Sequence, residues 1–242
     1  MARRLAAVTF WLAIGHATMF GLFWLLLNVP ESNIVMLIAS ALVILLIVVD
    51  AAIVEGAAVM WLDAYPARRS LATRIPSAFL STSAAALAFW LIWWITGRTS
   101  RWLSAHGGEM DAWLLLHFNI TKTARLHSTL DWIVTIVRYP VGLSLAASLV
   151  AAGTLDGVRA LGRALARAFS PLRLLLVSLI WAALLLLPWS VVYWRPRTIE
   201  VGLEPAFVAV KLALVYVVMN VGVAAILAAA LPTIARRVEP AP

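Results

Sequence analysis

The chain alternates long apolar runs with short polar segments, and each run is about as long as a membrane-spanning helix. A hydrocarbon core roughly 30 Å thick needs about 20 apolar residues in an α-helix. Six runs meet this requirement, at residues 5–27, 34–62, 77–96, 132–150, 172–192 and 205–231. The pattern therefore predicts an all-α integral membrane protein with six transmembrane helices, forming a single polytopic domain over residues 1–242.

Two of the runs need a closer look. Residues 34–62 would form a helix about 43 Å long, so this span tilts, projects from the membrane, or holds Asp50 and Glu55 inside the inner leaflet. The first run follows Arg3 and Arg4, as the apolar core of a signal peptide does. It is longer than such a core and lacks a small-residue cleavage site, so we interpret it as a span.

Two further segments are predicted to lie flat on the membrane surfaces. Residues 156–169 carry an arginine every fourth residue, at Arg159, Arg163 and Arg167, and these arginines share one face of a helix whose other face is apolar. Such an arginine row suits anionic headgroups of the cytoplasmic leaflet. A segment at about 110–121 is too short to cross the membrane and too apolar for free solvent, so it is predicted to form an outer interfacial helix.

The composition supports the membrane class. Hydrophobic residues make up 64% of the chain and charged residues 12%, compared with about 25% charged residues in soluble domains. Tryptophans cluster at the ends of apolar runs, which is typical of aromatic belts at a bilayer interface. The chain has no cysteine, so disulfides, thiolate metal sites and cysteine nucleophiles are excluded.

The basic residues predict the orientation of the spans. A net charge of +8 would suggest nucleic acid in a soluble chain, but here the charges lie in short connections between apolar runs, so we expect no nucleic-acid partner. With the N-terminus inside, the inner side holds Arg3, Arg4, Arg68, Arg69, Arg74, Arg159, Arg163, Arg167, Arg173, Arg236 and Arg237. The outer side holds Arg98, Arg101, Lys122, Arg125, Arg195 and Arg197. This excess predicts that both termini are cytoplasmic, and we expect a bacterial inner membrane protein.

Sequence motifs give no reaction. There is no Gly-x-Ser-x-Gly, His-Glu-x-x-His or Walker-type loop, which argues against common hydrolases and nucleotide-driven pumps. Asp156-Gly157-Val158-Arg159 faintly resembles the start of the metal-binding signature of membrane CDP-alcohol phosphotransferases, but the next acid is Glu200, so too few ligands follow. We therefore predict no catalytic residue, and an enzyme is the less favoured class.

Histidine spacing predicts neither a metal site nor a cofactor. His106, His117 and His127 lie in the outer segment at spacings that do not place two imidazoles on one helix face. His16 is isolated within the first span, where it would ligate a haem or chlorin only if a partner chain or water supplied a second ligand.

Seven polar side chains inside or next to the apolar runs form the candidate intramembrane polar site. They are His16, Asp50, Glu55, Asp131, Arg138, Lys211 and Asn220. A central charge costs roughly 2.5 to 3.5 kcal/mol on insertion scales, so such groups normally face protein, water or each other. Arg138 and Lys211 lie near outer ends of their spans, where their long side chains can reach the surface.

Two functions remain. The favoured hypothesis is a non-catalytic integral membrane subunit or scaffold that binds membrane lipids and the helices of protein partners. The alternative is a small secondary transporter or channel with a polar path near Asp50, Glu55 and Asn220. A lipid-modifying enzyme is third, and its candidate residues would be the outer histidines with Glu109 and Asp111.

Overall fold

The computed structural model describes residues 2–30, 32–63, 71–120, 123–194 and 201–231. Within these ranges the chain contains helices and no strands, and six helices are long and apolar enough to cross a membrane. The predicted all-α class, with six helices of sufficient length and apolarity to span a membrane, is therefore confirmed. Several basic residues that predicted the orientation lie outside the described residues, namely Arg68, Arg69, Lys122, Arg195, Arg197, Arg236 and Arg237.

Eight α-helices make up the described chain. They are α1 (Ala2–Asn28), α2 (Ile34–Leu62), α3 (Leu71–Phe118), α4 (Ala124–Ile136), α5 (Gly142–Asp156), α6 (Leu161–Ala168), α7 (Pro171–Tyr193) and α8 (Glu204–Ala230). Helices α1, α2, α7 and α8 follow the predicted spans closely. Asn33 begins α2 by accepting the Met36 N–H at 3.0 Å, and α7 begins with Ser170 as its N-cap residue and Pro171 as its first residue.

Helix α3 is much longer than the predicted third span. It runs unbroken for 48 residues, about 72 Å, so the predicted outer interfacial helix at 110–121 is not a separate element. Residues 110–118 of that segment form the last turns of α3, and Asn119 and Ile120 follow the helix. The reason is a tertiary partner: α4 packs beside the end of α3, and His127 contacts Asp111 across the two helices at 2.7 Å. Gly107-Gly108 consequently does not interrupt the helix.

The fourth span is also longer than predicted. Helices α4 and α5 are joined by a π-helical turn, Val137–Val141, so that one helical element runs from residue 124 to residue 156 instead of 132 to 150. Pro140 lies in this turn. Because proline lacks an N–H and its ring crowds the preceding turn, a widened turn accommodates it without ending the helix.

Helix α5 lies at the centre of the bundle. Eleven of its 15 residues are buried, and two of the 23 residues of α7 are. Its small residues allow neighbouring helices to approach closely. A Cβ placed on Gly153 would lie 2.1 Å from the Ser81 Cβ of α3, and one on Gly142 would lie 3.0 Å from the Phe89 ring.

The predicted amphipathic helix at 156–169 begins later than expected. Gly157 has a φ of +83° and ends α5, a 3₁₀ turn follows at Val158–Ala160, and α6 covers only Leu161–Ala168. The alanines at 160, 164 and 168 form its buried face. Ser144 of α5 donates to the Ala168 carbonyl at 2.8 Å and holds α6 against the bundle. The arginine row and the exposed side chains of Leu165 and Phe169 occupy the two remaining faces.

Candidate functional site

Arginines near the starts of three helices bind the carbonyls that end their neighbours. Arg4 donates to the Asp63 carbonyl at 3.4 Å, after α2, and Arg173 donates to Ala229 O at 3.2 Å, near the end of α8. Arg74 donates to the carbonyls of Thr154, at 2.7 Å, and Leu155, which close α5. The last carbonyls of a helix have no partner within the helix, and cations suit that end of its dipole. We call this side of the bundle, marked by Arg4, Arg74 and Arg173, the arginine end.

Lys211 also binds the carbonyls at the end of a neighbouring helix, on the side of the bundle opposite the arginine end. Its ammonium group donates to the carbonyls of Val192, at 2.8 Å, and Trp194, where α7 ends. It also lies 4.6 Å from the centroid of the Phe207 ring. Lys211, a residue of the predicted polar site, therefore binds α8 to the end of α7.

Arg138 contacts α3, and Asp131 does not pair with it. The Arg138 Nε donates to Thr96 Oγ1 at 3.0 Å, and its guanidinium lies 5.0 Å from the Trp93 ring centroid. The Asp131 side chain is exposed on α4, and its carboxylate makes no hydrogen bond or ion pair with any described residue. The structure thus gives Arg138 partners on α3, whereas the Asp131 carboxylate has none among the described residues.

His16 and Asn220 meet at the contact between α1 and α8. His16 Nδ1 lies 2.7 Å from Asn220 Oδ1, and Asn220 Nδ2 donates to the Tyr216 carbonyl at 2.9 Å. The Tyr216 hydroxyl donates to the Ala13 carbonyl and ties α8 to α1 a second time. Asn220 is 2% exposed. Two predicted polar residues from opposite ends of the chain are therefore brought together as one hydrogen-bonded pair.

Asp50 lies beside Thr18 at the α1–α2 contact. Thr18 Oγ1 is 3.2 and 3.3 Å from the two carboxylate oxygens of Asp50. The hydroxyl has a single proton, however, and the Gly15 carbonyl is closer to it, at 2.6 Å. The Asp50 carboxylate is therefore weakly paired. Thr18, Ala17 and Gly21 are exposed along α1, and a Cβ added to Gly21 would meet nothing within 4 Å.

Both polar pairs lie far from the arginine end, as measured along the helices. Along the helices, Asp50 is about 20 Å from Asp63, His16 is about 18 Å from Arg4, and Asn220 is about 14 Å from Ala229. If the arginine end marked one boundary of a hydrocarbon core roughly 30 Å thick, these side chains would be near its middle.

Glu55 is the remaining acid of α2. Its side chain is half-buried and makes no hydrogen bond or ion pair with the described part of the chain. Ala58, one turn further along the helix, is fully buried. Glu55 lies about 12 Å from Asp63 along α2, between the arginine end and the middle of the bundle.

The three residues of the predicted transport path do not share a surface. Thr18 and Asp50 meet on one side of α1, whereas His16 and Asn220 meet on another side, about 200° around the same helix. Helix α1 consequently lies between Asp50 and Asn220. Glu55 belongs to the arginine-end half of α2 and contacts neither pair through a hydrogen bond.

The outer histidines have local partners. His106 and His117 each contact the carbonyl of the residue four positions earlier, at 2.9 Å, and stack on the tryptophan there. His127 pairs with Asp111. In the part of the chain that the structure describes, no three histidine, aspartate or glutamate side chains come together as metal ligands would.

Sequence reasoning missed the partners of the polar residues. Thr18 and Tyr216 are common residues in apolar runs, and nothing in their spacing alone indicates that they contact Asp50 and Ala13. A weak signal existed for Tyr216, which lies four residues before Asn220 and therefore on the same face of α8. The arginines were counted only as charges, although three of them bind helix ends.

The comparisons with known proteins give no function. No protein-family model matches the chain, and no curated protein or solved structure is significantly similar to it.

Proposed function

We propose that the protein is a non-catalytic integral membrane subunit or scaffold that binds a transmembrane helix of a protein partner. The observation that carries this proposal is the Asp50–Thr18 pair, which lies near mid-depth at the edge of the α1–α2 contact. We name the surface formed by Asp50, Thr18, Ala17 and Gly21 the α1–α2 face.

A lipid environment does not satisfy this face. Acyl chains offer no hydrogen-bond donor, and Thr18 shares its single proton with the nearer Gly15 carbonyl. A carboxylate in that position is costly unless a donor reaches it. A partner helix with a lysine, arginine or hydroxyl side chain at this depth would supply the donor.

The shape of the same face favours a helix. Ala17 and Gly21 lie four residues apart and are exposed, with open space above Gly21. Small residues at this spacing let the backbones of two membrane helices approach closely, which is the arrangement that stabilises helix pairs in a bilayer. A bulky exposed surface would hold a second helix further from Asp50.

The contacts of the other charged side chains favour a structural protein over an enzyme. Arg4, Arg74, Arg173 and Lys211 bind the ends of neighbouring helices. Arg138 joins the π-helical turn to α3. Groups used in this way stabilise a rigid bundle and leave few side chains for chemistry.

We further propose that α6 binds anionic lipid on the cytoplasmic side. Its alanine face packs on the bundle, Arg159 and Arg163 are exposed, Arg167 is half-buried, and Leu165 and Phe169 are exposed. An interfacial helix places its basic residues among headgroups and its apolar residues among acyl chains. This arrangement would also fix the arginine end at the inner leaflet.

The transport alternative has weaker support, because α1 lies between Asp50 and Asn220. It makes a distinct prediction all the same. In reconstituted vesicles a transporter would carry protons or common cations, and Asp50→Asn would abolish that flux with unchanged expression. A scaffold gives no flux in either form.

The proposal is tested by isolating the tagged chain from its native membrane in a mild detergent. We expect it to co-purify with another transmembrane protein at a fixed ratio. Asp50→Leu removes the acceptor and should reduce the co-purified fraction at least tenfold. Asp131→Leu is the matched control, since it makes the same replacement at an exposed acid on α4 and should leave the fraction unchanged. Thermal unfolding shows whether both variants are folded.

Two results would contradict the proposal. One is a wild-type chain that emerges from its native membrane as a single species. The other is an Asp50→Leu variant that retains its partner at the wild-type ratio.

A further inference from the structure

Helices α1 and α8 enclose a groove that opens on the side of the bundle and has a volume of about 440 Å³. Its walls are apolar, with methionine and aromatic side chains from α1 and aliphatic side chains from α8. The polar residues among its lining are His16, Tyr216 and Asn220. The groove is therefore an apolar site with a few polar groups at one place.

The hydrogen bonds assign the proton on His16. Asn220 Nδ2 donates to the Tyr216 carbonyl, so Asn220 Oδ1 is the atom that faces His16 Nδ1 and accepts from it. Nδ1 then carries the proton of the neutral imidazole, and Nε2 presents a lone pair. Nε2 makes no hydrogen bond with the described residues.

We propose that this groove binds a lipid-soluble molecule with a hydroxyl group on an apolar body, and that the hydroxyl donates to His16 Nε2. A free acceptor near the middle of a bilayer is unsatisfied by acyl chains, because they have no donor. A hydroxyl supplies that donor without bringing a charge into the membrane. A lipid carbonyl or ether oxygen would not, since both accept hydrogen bonds.

The dimensions and the lining suit such a ligand. Sites for small molecules are usually about 300 to 1,000 Å³, mostly apolar, with a small number of polar groups that orient the ligand. Met19 and Met219 line the groove, and their flexible side chains adapt to irregular apolar shapes. Asn220 bonds His16 and is itself held by the Tyr216 carbonyl, and the Tyr216 hydroxyl ties α8 to α1. The acceptor on His16 is therefore preorganised before the ligand binds.

The test uses a pair of photoreactive probes and the purified full chain in phosphatidylcholine nanodiscs. The first probe is a long-chain phenol with a diazirine in its alkyl tail, and the second is its methyl ether, which lacks the donor. Mass spectrometry locates the labelled peptides. We expect the phenol to label α1 and α8 at the groove roughly three- to tenfold more than the ether, the value of one net hydrogen bond.

Two variants of His16 separate the acceptor from the fold. His16→Asn keeps a donor for Asn220 Oδ1 but removes the acceptor at the Nε2 position, so the phenol should lose its advantage over the ether. His16→Gln places an amide oxygen near the Nε2 position and should retain a preference for the phenol. Thermal unfolding of both variants shows that they are folded.

Two variants of α8 test the groove itself. Val215 lines the groove and Val217 is exposed elsewhere on the helix, so Val215→Trp should block labelling by both probes, whereas Val217→Trp should not. Equal labelling of the wild-type protein by phenol and ether would overturn the proposal. Labelling that survives Val215→Trp would overturn it as well.

Discussion

Replacing Arg74 should destabilise the bundle even though the residue lies near a membrane surface. Its guanidinium spans from the start of α3 to the last carbonyls of α5, at Thr154 and Leu155. Arg74→Met keeps much of the aliphatic stem and removes the donors. Arg74→Lys keeps the positive charge but replaces the guanidinium, whose Nη1 donates to both carbonyls, by an ammonium group on a shorter side chain.

The expected size follows from these contacts. A hydrogen bond that involves a charged group contributes about 1.5 to 3 kcal/mol, and the carbonyls of α5 would afterwards be reachable by water or headgroups. We therefore take the lower part of the range, about 2 kcal/mol for Arg74→Met. In a chain of this size that lowers the unfolding temperature by about 5 °C. Arg74→Lys should lose about half as much.

The assay is thermal unfolding in one detergent, with the native side-chain environment followed through tryptophan fluorescence. Arg101→Met is the matched control, because the Arg101 guanidinium bonds only the Gly97 carbonyl of its own helix among the described residues. It should unfold within about 1 °C of the wild type. If Arg74→Met is as stable as Arg101→Met, the inter-helix contacts of Arg74 contribute nothing and our account of the arginine end is wrong.

Three further predictions address packing, lipid and topology. Gly153→Ala should separate α3 from α5, because its Cβ would lie 2.1 Å from the Ser81 Cβ. In the same thermal assay this variant should unfold at a temperature at least 10 °C lower than the wild type. Gly162→Ala is the control and should be neutral, because a Cβ there meets nothing within 4 Å. Replacing the whole α6 arginine row by glutamine should weaken vesicle association with anionic lipid by up to about 1 kcal/mol per residue at low salt, and unchanged binding would exclude a headgroup role. Accessibility reporters at Asn119, just beyond α3, and after Pro242 should report opposite sides of the membrane, so finding both on one side would refute the predicted orientation.

The spans were predictable from sequence because their signal is local. An apolar run of about 20 residues has few alternatives to a membrane helix, and α2 and α7 accordingly begin and end within a residue of their predicted limits. The end of α3 was not predictable in the same way. Its helical state depends on packing against α4, and Gly107-Gly108 is a breaking signal that this packing overrides.

The candidate site was predictable only as a set of residue types. The cost of burying a polar group indicated that His16, Asp50 and Asn220 need partners. Which partners they have depends on the relative depth and rotation of α1, α2 and α8, and an apolar run carries no information about either. The pairing of His16 with Asn220 joins residues 204 positions apart and could not be read from spacing.

The most direct test of the account is cross-linking from the α1–α2 face in the native membrane. A photoreactive amino acid at Ala17 projects from this face, and the same amino acid at Val217 projects from an exposed part of α8. The account predicts a protein adduct of one defined mass from position 17, lost when Asp50→Leu is added, and lipid adducts from position 217. Lipid adducts alone from both positions would contradict a partner helix at Asp50.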